Sequence, residues 1–182
     1  IKMLYKLKKI FRYTGIYGFK RTLIKSFGRI RWNLFLSVLL LPTSIFKKRR
    51  VGIIGCGQFA FTTIAYFVNR NSPCKISKVF DINFKNAYTL ARFYGCAVVD
   101  DAEKVFSSEV DLVYIASNHE SHTKYAIMAI EKGIDVYLEK PISVTKEQLY
   151  ALERAYVKST VKIFCGYNRP FSTAIKKVKE DI

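Results

Sequence analysis

At 182 residues, half of them hydrophobic and 15% aromatic, the chain can hold one domain plus an appendage and is too apolar to be disordered throughout. Its net charge of +17 is uneven: residues 1–50 carry 14 Lys and Arg and no acid, whereas residues 51–182 carry 17 basic residues against all 14 acids. Four scattered cysteines, Cys56, Cys74, Cys96 and Cys165, form no C-x-x-C pair and have no His at ligand spacing, which speaks against a metal site or disulfide framework and for a reducing cytoplasm.

The first element is the basic arm, residues 1–50. Apolar residues recur there at three- and four-residue steps with Lys and Arg between them, the pattern of basic amphipathic helices, with breaks expected near Gly15 and Gly18. Leu34 to Leu41 is the greasiest run, but it is far shorter than the ~20 residues that span a bilayer, and no signal-peptide cleavage site follows it. Two partners suit this arm. One is an anionic membrane surface reached through residues 1–46, which would put the protein at the inner face of the membrane. The other is protein, either a further domain or a second copy in a homo-oligomer. Nucleic acid is not expected, because no recognition motif accompanies the charge.

From Val51 onward, strand and helix alternate. Val51–Ile54 reads as a strand and Phe59–Asn69 as a helix; Ile76–Phe80 is a second strand, followed by a helix from Phe84 to Tyr94 that stops at Gly95. A short strand at Ala97–Val99 precedes a helix capped by Asp100 or Asp101. The apolar run DLVYIAS is a strand buried on both faces, and a helix ending at Gly133 follows it. DVYLEKP is the fifth strand; Thr145 and Gln148 make a capping box for the next helix, and VKIFCG is the sixth strand. Six strands joined by helices predict an α/β fold, a doubly wound parallel Rossmann sheet over residues 51–170. Residues 171–182 read as the start of a helix leading onward. With Ile rather than Met at position 1, the chain is expected to be a piece of a longer protein.

The loop VGIIGCGQFA, residues 51–60, carries the first chemistry. Gly55 allows a tight turn, Gly57 lets a pyrophosphate approach the backbone, Gln58 and Phe59 open the helix, and Ala60 is small enough for helix–sheet packing. A methyltransferase loop would want a third glycine at Phe59 and an acid at Ile53 and has neither. Asp81 ends the second strand 21 residues after Ala60, close to the ~20-residue interval at which a carboxylate holds the ribose hydroxyls of NAD. A carboxylate there repels a 2′-phosphate, so NAD is favoured over NADP.

Further on, LVYIASNHESHTKYAIMAIEKGIDVYLEKP (residues 112–141) and GYNRPFS (residues 166–172) are similar to signature segments of the glucose–fructose oxidoreductase and inositol dehydrogenase family, Gfo/Idh/MocA. The matching positions are Asn118, His122, Gly133, Glu139, Lys140 and Pro141. Pro170 departs from a second Arg common in the family. The resemblance implies that Ser117, Asn118, His122 and Glu139 approach the cofactor. It implies that Lys140 is the catalytic cation that orients a substrate hydroxyl, with Asn168 and Arg169 lining the substrate pocket. It also implies that the family's general base comes from a C-terminal α/β domain absent from this chain, so the fragment is expected to bind NAD and to be catalytically incomplete.

The function expected is an NAD(P)-dependent oxidoreductase moving hydride between nicotinamide and a sugar, nucleotide-sugar or cyclitol. Its context would be the supply of surface-polysaccharide precursors. The alternative is a non-catalytic NAD-binding scaffold or sensor anchored by the arm.

Overall fold

The structure is a computed structural model that describes residues 2–31, 49–71, 74–167 and 172–180. The run Leu34–Leu41 and the pair Asn168 and Arg169 lie outside those residues.

Two helices form the described arm. Helix α1, Lys2–Tyr17, runs through Gly15 without interruption; only Gly18, at φ 84°, separates it from α2, Phe19–Ile30. The expected break at Gly15 therefore does not occur. A mid-helix glycine costs only about 1 kcal/mol, which the surrounding turns outweigh, whereas a positive φ ends a helix outright.

The sheet has strands β1 (Arg49–Ile54), β2 (Cys74–Phe80), β3 (Ala97–Val98), β4 (Leu112–Ile115), β5 (Asp135–Leu138) and β6 (Ile163–Cys165). All pair in parallel in the order β3-β2-β1-β4-β5-β6. Between β1 and β2 the register slips by one residue, with Ser77 unpaired opposite the Val51–Gly52 step. Strand β1 begins at Arg49, two residues earlier than its apolar content predicts, because Arg49 pairs with Asp135 on β5 and the Arg50 amide donates to the Asp111 carboxylate at 2.6 Å.

Helices cover both faces. On one side lie a π-helical stretch, Ala60–Ile64, running into α3 (Ala65–Asn71), and α4 (Phe84–Tyr94). Their core includes Val51, Ile53, Phe61, Leu90 and Phe93. On the other lie α5 (His122–Glu131) and α6 (Lys146–Val157), packed with Ile54, Val113, Ile115 and Leu138. A last helix, α7, spans Thr173–Glu180.

The local signals act where the sequence puts them. The Asn83 side chain accepts from the Lys85 amide at the start of α4, and Gly95 ends that helix at φ 69°. Asp101, of the two candidates, caps a short 3₁₀ turn, Ala102–Val105, in place of a full helix. Thr145 accepts from the Gln148 amide as a cap should, but Gln148 Oε1 takes the amide of Val144, so the box closes one residue early.

Helix α2, which the sequence assigns to an arm outside the domain, packs into the domain. Ile24 is 1% exposed within the same core cluster as β1, and Phe27 lies 6.1 Å from Phe93. Gly28 crosses the π-helical turn so closely that a Cβ would come within 2.3 Å of Thr62. Arg21 lies over the rings of Tyr66 and Phe67. Among the described residues, no helix is long and apolar enough to cross a membrane.

Candidate cofactor site

Every strand delivers its following loop to the same edge of the sheet. The connections from β1 and β4 leave towards opposite faces, which opens a crevice between them. A cleft of about 460 Å³ lies there, lined among others by Gly55, Gly57, Asp81, Ser117, Asn118 and Tyr125.

The two glycines act differently. Gly55 sits at φ 87°, and a Cβ on it would lie 2.5 Å from the backbone of Ala116 and Ser117, so turn and packing both demand glycine. A Cβ on Gly57 would meet nothing within 4 Å; it would project into open space beside the helix start. That opening, next to amides left free by the first turn, suits an anionic diphosphate. Gln58 and Phe59 are exposed at the helix start, whereas Ala60 is 1% exposed and lies in the core, away from the cleft.

Asp81 is fixed by two backbone amides, Cys56 N to Oδ2 at 2.7 Å and Asn83 N to Oδ1 at 2.8 Å. Each carboxylate oxygen keeps acceptor capacity, which presents a pair of acceptors to a vicinal diol. The first of these bonds joins the glycine loop to the end of β2. Cys56, directly beside Asp81, is buried, and burial followed by the Asp81 charge pushes its thiol well up from the ordinary range.

On the far wall, the hydroxyls of Ser117 and Ser121 lie 2.7 Å apart, and Ser121 also hydrogen-bonds the Asn118 side chain. The exposed amide side chain of Asn118 is thus held at the mouth. His122, by contrast, is 1% exposed and turned inward: Nδ1 lies 2.8 Å from the Pro141 carbonyl and Nε2 3.1 Å from the Ser117 carbonyl. It does not face the cleft and instead ties the loop after β4 to the loop after β5. Thr123 adds a second tie, donating to Ile142 O at 3.1 Å.

Glu139 and Lys140 follow β5, one strand beyond the cleft. A Cβ on Gly166 would lie 2.8 Å from the Glu139 carboxylate, which also borders Tyr137. Burial and this carboxylate push the Tyr137 phenol up to about 12. Lys140 is exposed, joined to Pro141 by a cis peptide.

Three residues of this region were not anticipated from sequence. Ser121 and Tyr125 line the cleft one helical turn apart, and their i, i+4 spacing on the helix after Asn118 was the available signal. Arg31, at the end of α2, reaches the back of the glycine loop. Its guanidinium donates to Cys56 O at 2.6 Å, to Thr89 Oγ1 at 3.0 Å and to Asn86 O at 3.2 Å. No local pattern announces a contact across 25 to 58 residues.

The model of an oxidoreductase family with an NAD-binding Rossmann fold matches residues 49–167. An oxidoreductase from Formosa agariphila is 32% identical over 133 residues, covering 71% of this chain and 41% of the relative. An inositol 2-dehydrogenase/D-chiro-inositol 3-dehydrogenase from Shouchella clausii is 28% identical over 137 residues, covering 72% and 39%. In fold, the chain resembles the myo-inositol dehydrogenase of Lactobacillus casei solved with NAD(H) and myo-inositol, with a TM-score of 0.68, 23% identity and coverage of 73% and 40%. The chain spans about two fifths of the length of these relatives.

Proposed function

The chain belongs to the Gfo/Idh/MocA oxidoreductase family, carrying its NAD-binding Rossmann fold, and from that premise we propose that it serves an oxidoreductase acting on a sugar or cyclitol hydroxyl. The observation that carries the reading is the pairing of open space at Gly57 with the anchored acceptors of Asp81 on one cleft. Bound NAD would supply the hydride acceptor or donor. Gly55 and Gly57 admit the diphosphate, and Asp81 accepts from the ribose hydroxyls while its charge disfavours a 2′-phosphate, hence NAD over NADP. Asn118, steadied by Ser121, lies beyond β4 towards the nicotinamide end.

In this reading Lys140 is the catalytic cation. An ammonium beside a substrate hydroxyl favours loss of its proton as hydride leaves the same carbon. Glu139, wedged against Gly166, sets the position from which Lys140 projects. His122 is buried with its ring nitrogens turned to carbonyl oxygens and away from the cleft, so it is not assigned as the proton acceptor. The inositol dehydrogenases among the relatives make polyhydroxylated rings the first substrates to test. For the arm, we place α1 against an anionic membrane surface, supported by exposed Tyr5, Leu7, Ile10 and Phe11 interleaved with Lys8, Lys9 and Arg12.

The test is NADH fluorescence titration of the wild type and of Asp81→Ala. Loss of the anchored carboxylate should raise the Kd for NADH about tenfold or more. Equal affinities would remove Asp81 as the ribose ligand.

A further inference from the structure

Arg31 stands outside the matched family segment, yet it ends on the cofactor loop. Its backbone is unusual: at φ 52° and ψ 36° it adopts the left-handed conformation that closes α2, and its amide donates to Phe27 O at 2.8 Å. Glycine is the ordinary residue at such a helix end, and a side chain there is strained. Among the described residues, Arg31 is the single non-glycine with positive φ. The strain is offset by what the side chain reaches.

The guanidinium lies over the Phe61 ring, 5.0 Å from its centroid, and its three hydrogen bonds join two segments. One is the carbonyl of Cys56, between Gly55 and Gly57. The other is the first turns of α4, the helix that follows Asp81. The amide of Cys56 donates to Asp81 while its carbonyl accepts from Arg31, so this residue is held on both sides. The arginine charge also attracts the Asp81 carboxylate. The loop is therefore clamped between the acidic residue in front and the cation behind.

We propose that Arg31 is a positioning residue for the cofactor loop, through which docking of α2 and binding of the dinucleotide strengthen each other. The inference rests on the cofactor reading above. Arg31 pre-sets the Gly55–Gly57 backbone, and its half-buried positive charge adds to the attraction for a diphosphate. Because coupling between two sites is reciprocal, the dinucleotide must hold α2 down as firmly as α2 improves the loop.

The experiment uses Arg31→Gly, since glycine relieves the left-handed backbone and keeps the helix end, and Arg31→Lys, which keeps charge without the fork. NADH titration should give a Kd raised about tenfold in Arg31→Gly, with Arg31→Lys in between. Hydrogen exchange supplies a readout on the wild type itself: NADH should slow exchange of the α2 amides, and this slowing should vanish in Arg31→Gly. Unchanged affinity in a folded Arg31→Gly, or no slowing of α2 in the wild type with NADH bound, overturns the inference and leaves the cofactor reading intact. Failure of the wild type to bind NADH overturns both.

Discussion

Gly55 and Gly57 are two positions apart and answer to different constraints. At Gly55 an alanine must hold a left-handed backbone and push its methyl into the peptide after β4. Gly55→Ala should lower folding stability by about 2–3 kcal/mol. At Gly57 an alanine methyl enters open space, so Gly57→Ala should melt within about 0.5 kcal/mol of the wild type. It should nevertheless lose most of its NADH affinity, because the methyl occupies the diphosphate's approach. Parallel thermal melts and titrations would check the pair; a Gly57→Ala protein that bound NADH normally would mean that the cleft is used differently. Sequence spacing located both residues and Asp81, because loop, strand end and carboxylate are neighbours along the chain or recur at a fixed interval. It also gave Ala60 to helix–sheet packing and Gly57 to the opening, and Ala60 lies in the core while a Cβ on Gly57 would meet open space.

At the scale of elements, the basic arm divides in two. Helix α2 has a docked face, with Gly28 against the π-helical stretch, Phe27 against α4 and Ile24 in the core; α1 keeps large apolar side chains exposed beside its cations. Composition alone gives both halves the same character, acid-free and amphipathic, so their separate fates were not legible. The difference is tertiary: only α2 meets a groove with the aromatic rings of Phe61 and Phe93 to bury against. Removal of the whole arm would thus confuse membrane binding with damage to the domain. Deletion of residues 2–17 avoids this. It should abolish sedimentation with phosphatidylserine-containing vesicles while leaving the melting temperature and NADH affinity near wild type. Undiminished sedimentation would refute a lipid role for α1.

Across the whole molecule, the parallel sheet and its covering helices followed from alternation of apolar runs with capped helices, and the caps at Asp101 and Thr145 were readable because they are local, whereas the strand order and the cap at Asn83 came from the structure. What escaped was long-range: Arg31 on Cys56, Tyr94 donating to Phe61 O at 2.6 Å, and His122 bridging two loops. Such burial has a pH signature. Burial pushes up the thiols of Cys56 and Cys96, the latter from 9.0 to about 12, and the phenols of Tyr94 and Tyr137, the latter from 10.0 to about 12. Above about pH 9 the unfolded chain releases these protons while the folded chain retains them. Their contribution is therefore full below that pH and is lost as pH rises towards 12. Melting temperature should fall progressively across this alkaline range, less steeply in Cys56→Ala. A flat profile would show that these groups ionise freely in the fold.

The seat of α2 also sets an order of events in the cell. It is made from Phe61, Thr62 and Phe93, so during translation the arm emerges well before its partner surface has been synthesised. At 5–20 residues per second, the ribosome takes roughly 3 to 12 seconds between Arg31 and Phe93. Throughout that interval the apolar face of the α2 segment has no partner surface to bury against. The same contact that completes the cofactor loop in the finished protein must therefore wait until Phe93 has been made.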